Sequence, residues 1–216
     1  MMKKPMRARG SAWGQSLRLH VQNQMSLYLF VAVLFMMGVI FGAVIVNTMS
    51  PVQKENLLGY LGHFFQGMKT DSVADPRTAF QHSMGEHFKT IGLIWLLGVS
   101  VVGMPLILLL VFLKGMVIGF TVGFLVNQLS WKGLGFAFTS VVPHNLLVVP
   151  ALLVVSVSGM AFSILLAKNR LIQRRGSIYP QFLSYSVLVT MMAGVMVIAS
   201  LFEAYVSPML MRVALP

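Results

Sequence analysis

Three glycines recur at four-residue spacing, Gly115, Gly119 and Gly123, inside a long apolar run of the chain. On a helix this spacing places all three on one face, because residues four apart lie one above the other. A face without side chains lets the backbone of a second helix approach closely, as happens between helices inside a bilayer. In a soluble helix each interior glycine would cost about 1 kcal/mol relative to alanine. The run therefore predicts a membrane helix that contacts another helix, and Gly38 and Gly42 form a second pair of this kind in an earlier run.

The scarcity of charge indicates the same class of protein. Only 10% of the residues are charged, where a soluble domain carries roughly 25%, and the mean hydropathy is +0.82. The chain has no cysteine, which excludes disulfides, thiolate nucleophiles and cysteine-ligated metals. We expect an all-α polytopic membrane protein with about five transmembrane helices.

The net charge of +11 comes from basic clusters that flank apolar runs. One cluster precedes the first run, and the other forms a short loop: Lys3, Lys4, Arg7, Arg9 and Arg18, then Lys168, Arg170, Arg174 and Arg175. Such clusters mark the cytoplasmic side of membrane proteins. We therefore predict a multi-pass protein of the bacterial cell membrane with residues 1–26 and 168–180 in the cytoplasm. Nucleic acid is not an expected partner.

The lengths of the apolar runs predict where the chain crosses the bilayer. Residues 27–46 form the first transmembrane helix, because about 20 residues span the hydrocarbon core. Residues 47–90 form an extracytoplasmic loop with amphipathic helices, and residues 91–216 hold helices 2–5 and a short outer C-terminal tail. The four later crossings are predicted at 91–113, 115–129, 145–167 and 183–202. A version with six crossings would place the tail inside.

Three prolines are predicted to break helices: Pro105, Pro143 and Pro150. The uncharged stretch 133–167 is too long for one straight crossing, so we expect a broken or re-entrant segment near 133–145.

Polar residues within the apolar runs are the candidates for chemistry. His144 and Asn145 form a candidate intramembrane polar site, since ionisable groups at that depth are costly. The alternative is that they satisfy backbone groups that Pro143 frees. His82 and His87 lie five residues apart, on different faces of a helix, so no metal site is predicted. Glu203 lies at the end of a predicted span, and we expect no enzyme, no catalytic residue and no cofactor.

Long blocks of the sequence resemble one family of membrane proteins. These blocks are FLKGMVIGFTVGFLVNQLSWKG, SLYLFVAVLFMMGVIFGAVIVNTMS and VVPHNLLVVPALL. They are similar to the stage II sporulation protein M family, in order along nearly the whole chain. In the wider superfamily the segment that corresponds to residues 143–145 usually reads P-H-G, with a glutamate shortly after. Here Asn145 replaces the glycine, and valines occupy positions 148 and 149.

The resemblance implies a non-enzymatic scaffold for engulfment during endospore formation. Such a scaffold recruits stage II proteins D and P, which degrade septal peptidoglycan, and it lies in the sporulation septum and the engulfing mother-cell membrane. The expected partners are membrane lipids, these two hydrolases and a second copy of the chain, with the glycine faces holding together the bundle or a homodimer. The alternative is a transporter or permease subunit, because interrupted helices often line substrate sites.

Overall fold

The computed structural model describes residues 24–69, 75–169 and 178–213. These residues form helices and contain no strand, which confirms the all-α class. The helices are α1 (Met25–Thr48), α2 (Pro51–Lys69), α3 (Pro76–Gly98), α4 (Gly103–Ser140), α5 (Val142–Lys168), α6 (Tyr179–Leu201) and α7 (Ser207–Val213). A π-helical turn, Phe202–Val206, joins α6 to α7.

Four helices of the described residues are long and apolar enough to cross a membrane. They are Met25–Thr48, Gly103–Ser140, Val142–Lys168 and Tyr179–Leu210. The polytopic membrane class is therefore confirmed, while the predicted count of five crossings is not.

The start of α1, the α3–α4 turn, the end of α5 and the start of α6 lie at one end of the bundle, the proximal end. The hydroxyl of Ser163 on α5 donates to the carbonyl of Ser100 in the turn at 2.7 Å. Gln24, beside α1, lines a cavity together with Leu165 and Gln181. The opposite, distal end carries the α1–α2 connection and the π-helical turn.

Helix α3 runs antiparallel to α6 along the bundle. Near the proximal end the hydroxyl of Tyr185 donates to the carbonyl of Ile94 at 3.2 Å, and at the distal end Ser83 contacts Glu203. Ile94 is fully buried in the core that α3, α4, α5 and α6 share. The first half of α3 is polar, which separates it from the four apolar helices although it lies beside them.

The connection between α3 and α4 differs from the sequence expectation. A crossing was predicted over 91–113 with a loop at Lys114, but α3 ends at Gly98 and α4 continues through Lys114. The turn occupies 99–102. A Cβ atom on Gly103, the first residue of α4, would overlap the carbonyl of Leu97. Pro105 consequently lies in the first turn of α4, where its missing N–H removes no helical hydrogen bond.

The other two prolines also lie within helices. Pro143 occupies the first turn of α5, and Pro150 lies inside the same helix. The interruption between α4 and α5 therefore falls at Val141, just before Pro143.

Candidate functional site

Helices α1 and α4 form a parallel pair through the predicted glycine face. Cβ atoms added to Gly115 and Gly119 would overlap the carbonyl oxygens of Phe35 and Val39 of α1. A Cβ atom on Gly123 would lie 2.8 Å from Cα of Ala43, closer than real Cβ contacts. The register is constant along the pair, so α4 presents its backbone to α1 over at least two turns.

The glycines of α1 meet α4 in the same way. Cβ atoms on Gly38 and Gly42 would overlap the carbonyl oxygens of Phe112 and Met116. At the distal end of the pair, Asn127 Nδ2 donates to Asn47 Oδ1 at 3.3 Å. The five predicted packing glycines thus belong to one interface, and that interface lies within the chain.

Helix α4 bends sharply near the distal end. Ser130 has φ 51° and ψ −130°, a conformation that a non-glycine residue rarely adopts. The short helical segment 131–140 then folds back, because Gly133 lies against the carbonyl of Leu125 and Phe136 packs on the same leucine. This segment overlaps the broken or re-entrant region predicted near 133–145.

A polar cluster joins α3 to the π-helical turn at the distal end. The Ser83 hydroxyl donates to Oε2 of Glu203 at 2.5 Å. Nε2 of His87 lies 3.7 Å from the same oxygen, an ion-pair distance that is too long for a hydrogen bond. Ser83 is buried and also lies 3.3 Å from the hydroxyl of Ser200. Side chains far apart in sequence therefore meet at one carboxylate.

Sequence reasoning missed this role of Glu203. The buried face of α6 includes Val189, Met192, Met196 and Ala199, and Glu203 follows Ala199 by four residues. The helical period therefore places the carboxylate on the face that packs against the bundle. The four-residue spacing from Ala199 could have predicted this inward position from the sequence. The location of Glu203 at the end of a predicted span instead favoured a residue at the membrane surface. Glu203 lies in a π-helical turn, and such turns are frequent at functional sites.

His144 and Asn145 are brought together but have different surroundings. Asn145 Nδ2 donates to the carbonyl of Val141 at 2.7 Å and lies 3.1 Å from Nε2 of His144. The same carbonyl also receives the backbone N–H of Asn145 at 3.4 Å, so Asn145 reinforces the helix junction locally. Nδ1 of His144 is buried and has no hydrogen-bond partner among the described residues.

His144 and Glu203 line the same cleft of about 450 Å³. We call it the distal cleft; it lies between α2, α4, the start of α5 and the π-helical turn. Its other lining residues are mostly apolar: Leu57, Tyr60, Leu61, Phe120, Thr121, Phe124, Leu125, Phe136, Ser140 and Val141.

The remaining polar groups do not assemble a metal site within the described ranges, where no three His, Asp or Glu side chains are placed to bind one ion. Glu86 pairs with Lys89 at 3.3 Å on the exposed side of α3. Glu86 and His87 therefore serve different contacts although they are adjacent in sequence.

Comparison with known proteins identifies a family but no individual relative. The family model described as stage II sporulation protein M matches residues 31–208. The match extends from α1 to the start of α7 and includes the glycine interface and the distal cleft. No curated protein and no solved structure matches the chain.

Proposed function

Because the chain belongs to the stage II sporulation protein M family, we propose that it is a non-enzymatic membrane scaffold of the engulfment complex. It recruits stage II proteins D and P to the sporulation septum, where these proteins thin the septal peptidoglycan. Family membership carries this proposal, and the arrangement of the helices supports it by leaving one helix free for partners.

That helix is α2, at the distal end of the bundle. Its side chains Val52 and Asn56 are exposed, Val52 by 66%, and neither lines the distal cleft. On its inner side, Leu61 packs against the small cluster around Leu125 and Phe136. An amphipathic helix held on one side only offers its outer side for binding another protein.

The distribution of charge supports an outward orientation of α2, on the side where peptidoglycan lies. Lys168 ends α5 at the proximal end, and the basic residues that follow it in sequence favour a cytoplasmic position for that end. The distal end and α2 then face outwards. Enzymes that cleave peptidoglycan act on that side, so the partner surface and the partners meet in one compartment.

The glycine interface is not the partner surface in this proposal. Gly119 and the other glycines are covered by the chain's own helices. Their role is to hold α1 against α4, which fixes the point from which α2 extends.

Site-specific photocrosslinking in sporulating cells tests the proposal. A photoreactive side chain replaces Val52 or Asn56 on α2, and the matched control replaces Met36, which is 55% exposed on α1. We expect crosslinks to protein D or P from both α2 positions and from neither at Met36. Equal crosslinking from all three positions would contradict α2 as the partner surface.

A transporter or permease subunit is the second candidate, because the distal cleft contains ionisable side chains inside an apolar bundle. Identification of the proteins that copurify with the chain separates the two. Recovery of an ATPase subunit without either hydrolase would overturn the scaffold proposal.

A further inference from the structure

The distal cleft has the dimensions and lining of a ligand site. Its volume of about 450 Å³ lies within the roughly 300–1,000 Å³ of such sites. Aromatic side chains form much of its wall, including Phe120, Phe124 and Phe136. A space of this size with apolar walls offers ordered water few partners, since each buried water needs two to four polar contacts. An apolar chain fills it better.

One side of the cleft carries polar atoms whose hydrogen-bonding capacity is unused. Nδ1 of His144 and Oγ of Ser140 are buried without a hydrogen-bond partner in the described part of the chain. The side chain of Glu203 is 36% exposed, and its Oε2 receives the hydroxyl of Ser83. Within a membrane, polar atoms left without partners cost several kcal/mol each. A ligand that brings polar atoms to this side of the cleft would give these two atoms partners.

The charges of the lining residues select the kind of polar group. Glu203 is the acidic residue among them, and none of the described lining residues is a lysine or an arginine. An anionic group would meet a carboxylate there without a fixed cation. An ammonium group would donate a charge-assisted hydrogen bond to Glu203, the stronger type of hydrogen bond.

We propose that the distal cleft binds an amphiphile with a primary-amine headgroup, such as an aminophospholipid. The amine contacts the carboxylate of Glu203 beside His144, and an acyl chain lies against Phe120 and Phe124. Leu57 and Leu61 of helix α2 cover this acyl chain. The site is independent of the scaffold role, because it requires no partner protein.

Native mass spectrometry of the purified full chain tests this site. The protein is supplied with phosphatidylethanolamine or phosphatidylglycerol that carry identical acyl chains. We expect about tenfold greater retention of the amine lipid, as one charge-assisted hydrogen bond provides. Equal retention of the two lipids would overturn the proposal.

Two variants and one control assign the contact. Glu203→Gln should lower retention of the amine lipid about tenfold and leave the glycerol lipid unchanged. Thr121→Trp fills the cleft from an exposed position and should lower retention of both lipids. Glu55→Gln removes an exposed acid of α2 that does not line the cleft and should change neither. If Glu203→Gln behaves like Glu55→Gln, the proposal fails.

Free ethanolamine distinguishes a lipid from a small amine. The same amine without an acyl chain should not displace the bound lipid, because it gains nothing from the aromatic wall. Displacement at equal concentration would assign the cleft to small amines and overturn the proposal. Circular dichroism of each variant verifies that it remains folded. If Glu203→Gln does not fold, the comparison of the two lipids on the unsubstituted chain tests the amine contact, and Thr121→Trp tests whether the lipids occupy the cleft.

Discussion

Gly119 of α4 packs directly against the carbonyl oxygen of Val39 of α1, and no space remains between them for a Cβ atom. This contact connects the most distinctive sequence pattern of the chain to its own helix α1. Since the backbone of a packed helix pair yields little, an added methyl group must separate the helices.

The first prediction is that Gly119→Ala destabilises the protein by about 1–3 kcal/mol, the range for overpacking a close contact. The expected loss follows from the overlap of the new methyl group with Val39. Unfolding by titration with sodium dodecyl sulfate, followed by circular dichroism, measures the free energy.

Gly194→Ala is the matched control on α6. A Cβ atom at Gly194 meets nothing within 4 Å, so this variant should gain roughly 0.5–1 kcal/mol from helix propensity. Equal effects of the two substitutions would mean that α1 does not lie against Gly119.

The glycine spacing predicted a close helix contact, and that part of the fold could be obtained from sequence. The identity of the partner could not, because a bare helix face accepts any complementary helix. Gly38 and Gly42 on α1 were equally compatible with a second copy of the chain. Only the three-dimensional arrangement shows that the two faces belong to one molecule and run parallel.

The second prediction is a disulfide between α1 and α4 in the variant Ala43→Cys with Gly123→Cys. A Cβ atom at Gly123 lies 3.2 Å from that of Ala43, close to the roughly 3.5–4.5 Å of disulfides. The chain has no other cysteine, so mild oxidation should consume both thiols within one molecule. Counting free thiols by alkylation and mass spectrometry measures the reaction.

Ala43→Cys with Gly194→Cys serves as the unpaired control and should keep both thiols. A product of doubled mass from the first variant would place the glycine contact between two copies and contradict the parallel pair.

The turn at 99–102 shows why span boundaries were harder to predict than span existence. A turn between two membrane helices normally carries charge, so the sequence predicts a loop at Lys114. Here the turn carries no charge, and the hydroxyl of Ser163 on α5 donates to the carbonyl of Ser100. This hydrogen bond from a helix distant in sequence adds to those that Ser100 makes with Val102 and Gly103, and the sequence around the turn does not predict it.

The third prediction is that the turn at 99–102 is accessible to water at the proximal membrane surface. A membrane-impermeant thiol reagent should label Val102→Cys, because Val102 is 67% exposed in its helix-terminal position at the proximal end. Lys114→Cys should react slowly, since Lys114 lies well inside α4. Labelling rates in intact cells and in inverted vesicles measure the accessibility.

Lys168→Cys, at the end of α5, is the reference and should share the sidedness of Val102→Cys. Faster labelling at Lys114→Cys than at Val102→Cys would restore the loop that was predicted at Lys114.

The polar cluster shows a different limit of the sequence. His144 and Asn145 were identified as polar residues within an apolar run, and their local pairing could be anticipated. Their relation to Glu203 depends on α6 and the π-helical turn reaching the distal end beside α5. The buried positions of α6 that end at Ala199 predict that Glu203, in the turn that follows, lies on the side that faces the bundle. No local pattern reveals that Ser83 and His87 lie opposite it.

The last prediction is that Ser83→Ala destabilises the bundle by about 1.5 kcal/mol, the low end for a hydrogen bond to a charged group. The low end applies because the side chain of Glu203 is 36% exposed. Ser83 donates to Oε2 of Glu203, so the same substitution should cost less in a Glu203→Ala background. The four free energies of unfolding, measured in sodium dodecyl sulfate, give the coupling directly.

Ser186→Ala is the matched control, since Ser186 also joins α3 to α6 by accepting from Trp95 at 3.3 Å, but at an exposed position. We expect that control to change the free energy of unfolding by less than about 0.5 kcal/mol, as surface substitutions do. A Ser83→Ala cost no larger than that of Ser186→Ala, or one unchanged in the Glu203→Ala background, would show that the carboxylate does not hold α3 in place.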